Sequence, residues 1–439
     1  MKKIRIILSI ALIALISVAW IVQVQGIIKA NKDFHDLVSQ ADQHCADKLY
    51  QQAIQSYEAA IRIKDNDAVR EKWISAFELA YKDGVVEKKD YSKALDEMCS
   101  KQPKNPIYWE KIVALCVENG EYKSAYEHLS DAALANVTSE ALSSLDNIVR
   151  YSYTTKNKVY TRFMRSADGY YTLFDDRHCG IMDPNGDWQF ERNYFNASPF
   201  GESRLAVLQS VKDVRIINED AVVEAILPLE FLTARTPSEN IIPVQNEDGW
   251  RYFDYSNGEY LNGIYQDASA FYNGVAAVQT NGSWVLINSK GESVCNTHFD
   301  DIKLQSSGDF CYDGVMIASV NGVYGIYDER GNKTSDFQSA EMDVYLGGPI
   351  AYKDRNGKWG FIDRTGEIVI QPKYDGAKSF SSGLAGVKTG ESWGFINQDS
   401  TLVIDSVFAD VDYFTSGGIT IVSEYEGQYN VIKLRFPLS

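Results

Sequence analysis

The sequence contains no H-E-x-x-H, no G-x-S-x-G, no P-loop and no dinucleotide fingerprint, so the commonest hydrolytic and nucleotide-dependent chemistries have no motif to start from. Histidine is scarce: His35, His44, His128, His178 and His298 are the five, and none sits in a zinc-binding motif. The six cysteines, Cys45, Cys99, Cys116, Cys179, Cys295 and Cys311, lie scattered without C-x-x-C, which excludes a disulfide-framed scaffold. They read as buried free thiols, with a Cys295–Cys311 pair left open. Ten prolines and no low-complexity tract exclude a long stalk. Basic residues are outnumbered 43 to 60, and the formal charge of −17 argues against nucleic acid or an anionic lipid face as partner. Asp175-Asp-Arg-His178-Cys179 gathers ligand types within five residues, but it spans an expected hairpin and reads as a turn. No catalytic, cofactor-binding or metal-binding residue is therefore expected, and ligand-binding residues are left unassigned.

One long hydrophobic run is present. Lys2, Lys3 and Arg5 precede residues 6–22, seventeen positions without a charge, which the chain extends to residue 28. A helix over residues 6–28 is about 34 Å long, enough to cross a bilayer. The basic flank places the N-terminus in the cytoplasm and the rest outside. A cleavable signal is the alternative, since Ser17-Val-Ala19 has the right spacing of small residues. Residues 1–30 are thus expected to form a signal anchor.

From residue 31 to residue 153 the apolar pattern has a helical period and is rich in Ala, Leu, Lys and Glu. Asp47-Lys-Leu-Tyr50-Gln-Gln-Ala53, Lys89-Asp-Tyr91-Ser-Lys-Ala94 and Gly120-Glu-Tyr122-Lys-Ser-Ala125 repeat a turn followed by a helix. Trp109 and Pro106 fall where the tetratricopeptide repeat has its Trp and Pro, whereas Asp65 stands where Pro is usual. The segment resembles a tetratricopeptide-like helical solenoid, and that resemblance implies a peptide groove on its concave face.

From residue 159 onward the grammar changes to period two. The strings CGIMD, VRIIN, WRYFD, WVLIN, YGIYD, WGFID and WGFIN start at Cys179, Val214, Trp250, Trp284, Tyr324, Trp359 and Trp393. Their second residues recur at intervals of 35, 36, 34, 40, 35 and 34. Fourteen residues after each reference come Tyr194, Leu229, Tyr265, Phe299, Ser339, Tyr374 and Phe408; twenty after come Phe200, Arg235, Phe271, Gln305, Tyr345, Phe380 and Phe414. Asn-Gly or Asp-Gly before several strings predicts a hairpin, and the Asp or Asn ending each string predicts an Asx turn. A unit reads as about three short antiparallel strands with apolar residues on both faces, so each unit needs a neighbour on either side. The Trp residues read as packing, and Gly360 and Gly394 as allowing the next unit to approach.

Residues 358–375, KWGFIDRTGEIVIQPKYD, closely match the pattern of the WG-repeat proteins, and the chain resembles that family over residues 159–439. The resemblance implies an array of about seven units of ~35 residues, closed as a propeller-like ring or open as a β-solenoid. The ends favour the ring: residues 159–164 and 170–174 would open a last blade that residues 429–433 complete. Residues 154–159 read as the joint between the two parts.

The reading is an α + β two-domain repeat protein with an N-terminal membrane helix. Its expected role is a non-enzymatic, membrane-anchored extracytoplasmic scaffold or binding module for proteins or cell-envelope polymers. The alternative is a glycan-active envelope hydrolase with carboxylates on the β-domain loops. The places to look are the departures from the repeat: the lengthened unit 285–325, with its insertion at 306–312, and the aberrant unit 212–247.

Overall fold

A computed structural model describes residues 2–202, 204–210, 213–227 and 232–437, without the side chains of 2–15, 157, 192, 206–210 and 213. The chain forms two compact units, Met1–Val149 and Arg150–Ser439.

The first unit is helical among its described residues: α1 (Lys2–Ala46), α2 (Tyr50–Ile63), α3 (Asp67–Lys82), α4 (Lys88–Lys101), α5 (Pro106–Glu118), α6 (Tyr122–Leu134) and α7 (Glu140–Arg150). Small residues set the packing distance. Ala41, Ala53, Ala60, Ala76, Ala80 and Ala125 are fully buried, so the helices approach closely at those points. Asn66 and Asn105 cap α3 and α5 by accepting from the Val69 and Ile107 amides, and Pro106 opens α5 where its missing N–H costs nothing. Asp65, the departure from the repeat's Pro, has a use of its own. It pairs with the buried Arg70 at 2.5 Å while Glu97 of α4 takes the same guanidinium at 2.7 Å, which ties α3 to α4. Among the described residues no helix is long and apolar enough to cross a membrane. The expected anchor falls partly on residues 6–15, whose side chains lie outside that description.

The second unit is an eight-bladed β-propeller. Its described strands form eight antiparallel sheets of three or four strands: blades 1 to 7 span residues 162–194, 196–227, 233–260, 267–288, 301–327, 341–374 and 376–408. Blade 8 is built from both ends of the domain. Asp410–Val411, Ile419–Tyr425 and Gln428–Leu434 are joined by Tyr153–Tyr160, which pairs antiparallel with Gln428–Leu434 from Tyr153↔Leu434 to Tyr160↔Tyr429. The array is therefore a ring closed by strand exchange between its termini.

Three expectations are corrected here. There are eight blades, not seven units, because Tyr429-Asn-Val-Ile-Lys433 is itself a string, with Asn430 opposite Val422 as Gly394 is opposite Val387. The closing strand is Tyr153–Tyr160 alone; Arg162–Arg165 and Tyr171–Phe174 open blade 1 instead. The segment 154–159, expected as a joint, lies inside that closing strand.

The repeat's cover problem is solved as its two-faced strings require. Phe361 packs with Ala385, Val387 and Ile396 of blade 7, whereas Ile362, on the other face, packs with Ile317 and Ile326 of blade 5. Each pair of successive blades shares one such core. The pair that closes the ring joins Ile419, Ile421 and Val431 of blade 8 to Tyr171, Leu173 and Met182 of blade 1.

The spacings have direct structural causes. In six of the seven units the residue fourteen after the reference is the cross-strand partner of the string's first residue, as in Cys179↔Tyr194, Trp284↔Phe299, Trp359↔Tyr374 and Trp393↔Phe408, whereas Val214 pairs with Leu227. The aromatic twenty after belongs to the next blade and, where the string's third residue is also aromatic, meets it edge to face, at 4.9 Å for Tyr252–Phe271 and Phe361–Phe380 and 4.7 Å for Phe395–Phe414. Every string-terminal Asp or Asn forms the expected turn. Asp183, Asn218, Asp254, Asn288, Asp328, Asp363 and Asn397 each accept from the amide two residues on.

The repeat's glycine does a different job from the one expected. The register shifts between Trp359↔Tyr374 and Phe361↔Ile370, so the outer strand Ile368–Tyr374 bulges over Gly360. A Cβ on Gly360 would stand 2.6 Å from the Ile370 carbonyl oxygen and 2.7 Å from the Pro372 nitrogen, both in the same blade. Gly394 meets Ile404 and Ser406 in the same way. The motif is thus a bulge with Gly beneath it, and Pro372 sits where the ladder needs no N–H. In blade 5, which lacks the outer strand, a Cβ on Gly325 would meet nothing nearer than 3.4 Å. Gly360→Ala should therefore lose about 1–3 kcal/mol in urea unfolding, while Gly325→Ala stays within about 0.5 kcal/mol of wild type.

Candidate functional sites at the ring centre and over Trp73

The unit whose interval is 40 carries its extra residues at one point. Thirteen positions separate Ile302 from Val315 in blade 5, where seven separate Ala268 from Val275 in blade 4. The longer loop runs into the ring centre. Ser306 Oγ accepts from the Arg165 amide of blade 1 at 2.8 Å, and Asp309 accepts from the Ala167 amide at 3.2 Å. The Ser307 carbonyl accepts from the Thr236 amide of blade 3, and the Gly308 carbonyl from the Ala270 amide of blade 4. One loop thus bonds to three other blades.

Gln305 and Arg235, the two residues that break the twenty-residue register, both belong to this centre. Arg235 lies 4.4 Å from the Trp250 ring and pairs with Asp267 at 2.8 Å, while Gln305 faces Arg165. Lys353 and Lys378 likewise lie over Trp359 and Trp393, so these indoles are covered by the protein's own cations as packing groups. The aberrant unit 212–247 falls partly on residues 212 and 228–231, outside the described residues.

The centre gathers carboxylates as well. Asp343 accepts from the Tyr413 hydroxyl at 2.8 Å and from the Ser379 amide at 2.6 Å, and Asp412 accepts from the Tyr171 hydroxyl at 2.9 Å. Burial holds the Asp309 and Asp412 carboxyls above the ordinary range, and pushes the Tyr171 and Tyr413 hydroxyls well above theirs. A glycosidase needs two acids with a sugar between them. Here each acid is committed to a structural donor, and the cavity beside the loop, against Asp309 and Tyr312, holds about 10 Å³, room for one water.

The remaining sequence candidates resolve as structure. Asp175 accepts from the Arg177 and His178 amides as an Asx turn, and Cys179 is buried in the core beside it. No group of three metal-ligating side chains occurs among the described residues. The six cysteines are free thiols.

The helical unit holds an open groove of about 360 Å³ between α2 and α4, with α3 as its floor. Ile54, Phe77 and Ala94 make the floor apolar, and Gln51, Gln55 and Glu58 follow one another along one face of α2. Trp73 lies at the bottom. Its indole N–H is buried and has no hydrogen-bond partner. Trp109, at the corresponding place on α5, donates to the Pro103 carbonyl at 3.0 Å. The loop from Lys101 to Pro106 brings that carbonyl within reach, whereas the shorter connection before α3 supplies none to Trp73. Sequence spacing located Trp109 but not Trp73.

The sequence model of the WG containing repeat family matches residues 250–284, 359–391 and 393–429. The sequence matches no curated protein. Among solved structures, the chain is similar to BamB from Moraxella catarrhalis at 12% identity and a TM-score of 0.41, over 65% of this chain and 99% of that one. It is also similar to the C-terminal WD40 domain of Sif2, at 8% identity and 0.34, over 53% and 78%, and to the WD40 β-propeller domain of Doa1, at 12% and 0.32, over 64% and 97%.

The buried acids give a pH test. Because the folded state raises the Asp412 pKa, wild type loses stability as pH climbs from the ordinary carboxylate value through the raised one. Asp412→Asn keeps an acceptor for Tyr171 and does not ionise. Its melting temperature should match wild type near pH 3.5 and exceed it at pH 7, in paired thermal scans.

Proposed function

We propose that the chain is a non-enzymatic scaffold, held at a membrane by α1 with its repeats on the extracytoplasmic side, that binds a protein partner through its helical unit. The observation that carries the binding role is the groove over Trp73: an open, partly apolar cavity of about 360 Å³ with Glu58, Asp90 and Glu97 on its walls. Glu58 and Asp90 on its two walls carry no ion pair among the described residues, so a cationic group entering the groove meets two uncommitted carboxylates. In the propeller, residues 306–309 tie blade 5 to blades 1, 3 and 4. The buried alanines at the helix crossings support a tetratricopeptide-like arrangement for the hairpins.

Anchoring is supported by the sequence order and by the surface of α1. Lys2, Lys3 and Arg5 precede the apolar run, and Val18, Trp20, Ile21, Val22, Ile27 and Ile28 are all more than half exposed. They spread over more than half of the helix circumference, and an apolar surface of that kind needs a covering other than water.

Two readouts on the full chain in its native cells test this. A photo-crosslinking residue replacing Gln55, in the groove, should give a discrete protein adduct that one replacing Arg355, on the propeller surface, does not. The protein should also remain in membranes after alkaline carbonate washing. Equal labelling from both positions would contradict the binding site, and release by carbonate would contradict the anchor.

A further inference from the structure

The two ends of the helical unit carry opposite charge, and α1 brings one of them to the bilayer. We infer that the corners between α2 and α3, α4 and α5, and α6 and α7 form a second membrane contact, resting on lipid phosphates beside the point where α1 leaves the bilayer; this rests on the anchoring proposed above.

The height of that end follows from α1. The helix is unbroken from Lys2 to Ala46, and Phe34, six residues after Ile28, is already buried in the helical unit. At 1.5 Å per residue Phe34 stands ~9 Å beyond the apolar run, against a headgroup layer ~5–8 Å deep. α2 runs back along α1: the Tyr57 hydroxyl donates to Asp42 at 2.6 Å, and Lys64 Nζ lies 5.7 Å from the Phe34 ring. The α2–α3 corner therefore sits at the level of Phe34 and faces the bilayer. Lys101, at the end of α4, reaches Asp65 at 3.6 Å, and Lys104 donates to the Ala135 carbonyl just past α6. The three corners thus lie side by side at one end of the unit.

The chemistry of the two ends differs. The connections near the bilayer, 64–66, 102–105 and 135–139, hold Lys64 and Lys104 against Asp65, whereas those at the far end, 47–49, 83–87 and 119–121, hold Asp47, Asp83, Glu87 and Glu121 against Lys48. Lys29, Lys32, Arg62 and Lys64 are exposed and carry no ion pair among the described residues. Asp33 and Asp36 lie further along α1 from the bilayer than the two lysines, and Asp67 and Glu140 open α3 and α7 at helix N-termini that favour them. Ile63, Ile107 and Leu134, at the three near corners, are 41%, 50% and 81% exposed. The chain carries −17 overall, so an anionic bilayer repels most of its surface and this end is where it tolerates approach. Lys and Arg stems lie along apolar neighbours and carry their charge out to the phosphates, which lets Ile63 enter the headgroup layer.

A photo-crosslinking residue replacing Ile27, Ile63 or Val85 in the full chain, reconstituted into vesicles of phosphatidylcholine and phosphatidylglycerol, tests this. Ile27 lies in the apolar run, Ile63 at the near corner, and Val85, exposed as well, at the far end. Phospholipid adducts are expected from positions 27 and 63 but not from 85. Lys64→Gln should cut the yield at 63 about fivefold, the weight of one cation near an anionic surface. It should leave the yield at 27 unchanged and melt as wild type. High salt should lower the yield at 63 in the wild-type chain in the same way. No adduct at 63, an adduct at 85 as strong as at 63, or a yield at 63 that ignores both Lys64→Gln and salt would overturn the second contact. An adduct at 27 alone leaves the anchor standing and removes only that contact; no adduct at either position removes the anchor as well.

Discussion

Everything in the propeller depends on one constraint: a blade is apolar on both faces and cannot be covered by its own strands. Phe361 and Ile362, adjacent in sequence, point to different neighbours, so removing a blade strips two cores at once. In an open array the first and last blades would each leave one face bare. The chain avoids this by lending Tyr153–Tyr160 to the sheet that Gln428–Leu434 ends, which brings Val431 and Ile421 against Leu173 and Met182. Thr415 adds a hydrogen bond across the same boundary, to the Pro184 carbonyl at 2.6 Å. Closure converts nearest-neighbour packing into a single cooperative body.

The same economy governs the centre. Seven of the eight blades keep a short turn between the inner strand and the hairpin, and blade 5 alone extends it. That extension satisfies backbone groups from blades 1, 3 and 4 that would otherwise face the bore. Its buried acids and tyrosines serve the ring, which directs the search for a ligand to the helical unit. There the local rules leave something unfinished, because Trp73 lacks the acceptor that Trp109 has.

Much of this was legible in the sequence because the repeat's residues answer to short-range physics. Asx turns, cross-strand aromatic pairs and hairpin glycines act within twenty residues, and each leaves a fixed spacing. The eighth string escaped for a physical reason. It ends in Lys433, where the others have Asp or Asn, because its outer neighbour arrives from residues 153–160 and no turn has to follow it. The role of Gly360 was missed because the bulge above it lies ten residues downstream and shows only as a register shift. The inner strands, two residues long in blades such as Asp267–Ala268, are too short for any periodicity. Arg235 and Gln305 were visible as departures, yet their meeting at the centre is set by the ring. For the helices, spacing found the hairpins, but which indole lacks a partner depends on loop length and three-dimensional reach.

The central claim is cooperative closure, and hydrogen exchange tests it most directly. Truncating the full chain before Gln428 removes the strand that Tyr153–Tyr160 pairs with. The closed ring predicts that amide protection then falls in blade 1, around Tyr171–Phe174 and Cys179–Met182, as well as in blade 8, and that blade 6 near Phe361 loosens with them. If blades 1 and 6 keep wild-type protection while only residues 410–427 exchange faster, the blades are independent and the account of the ring is wrong.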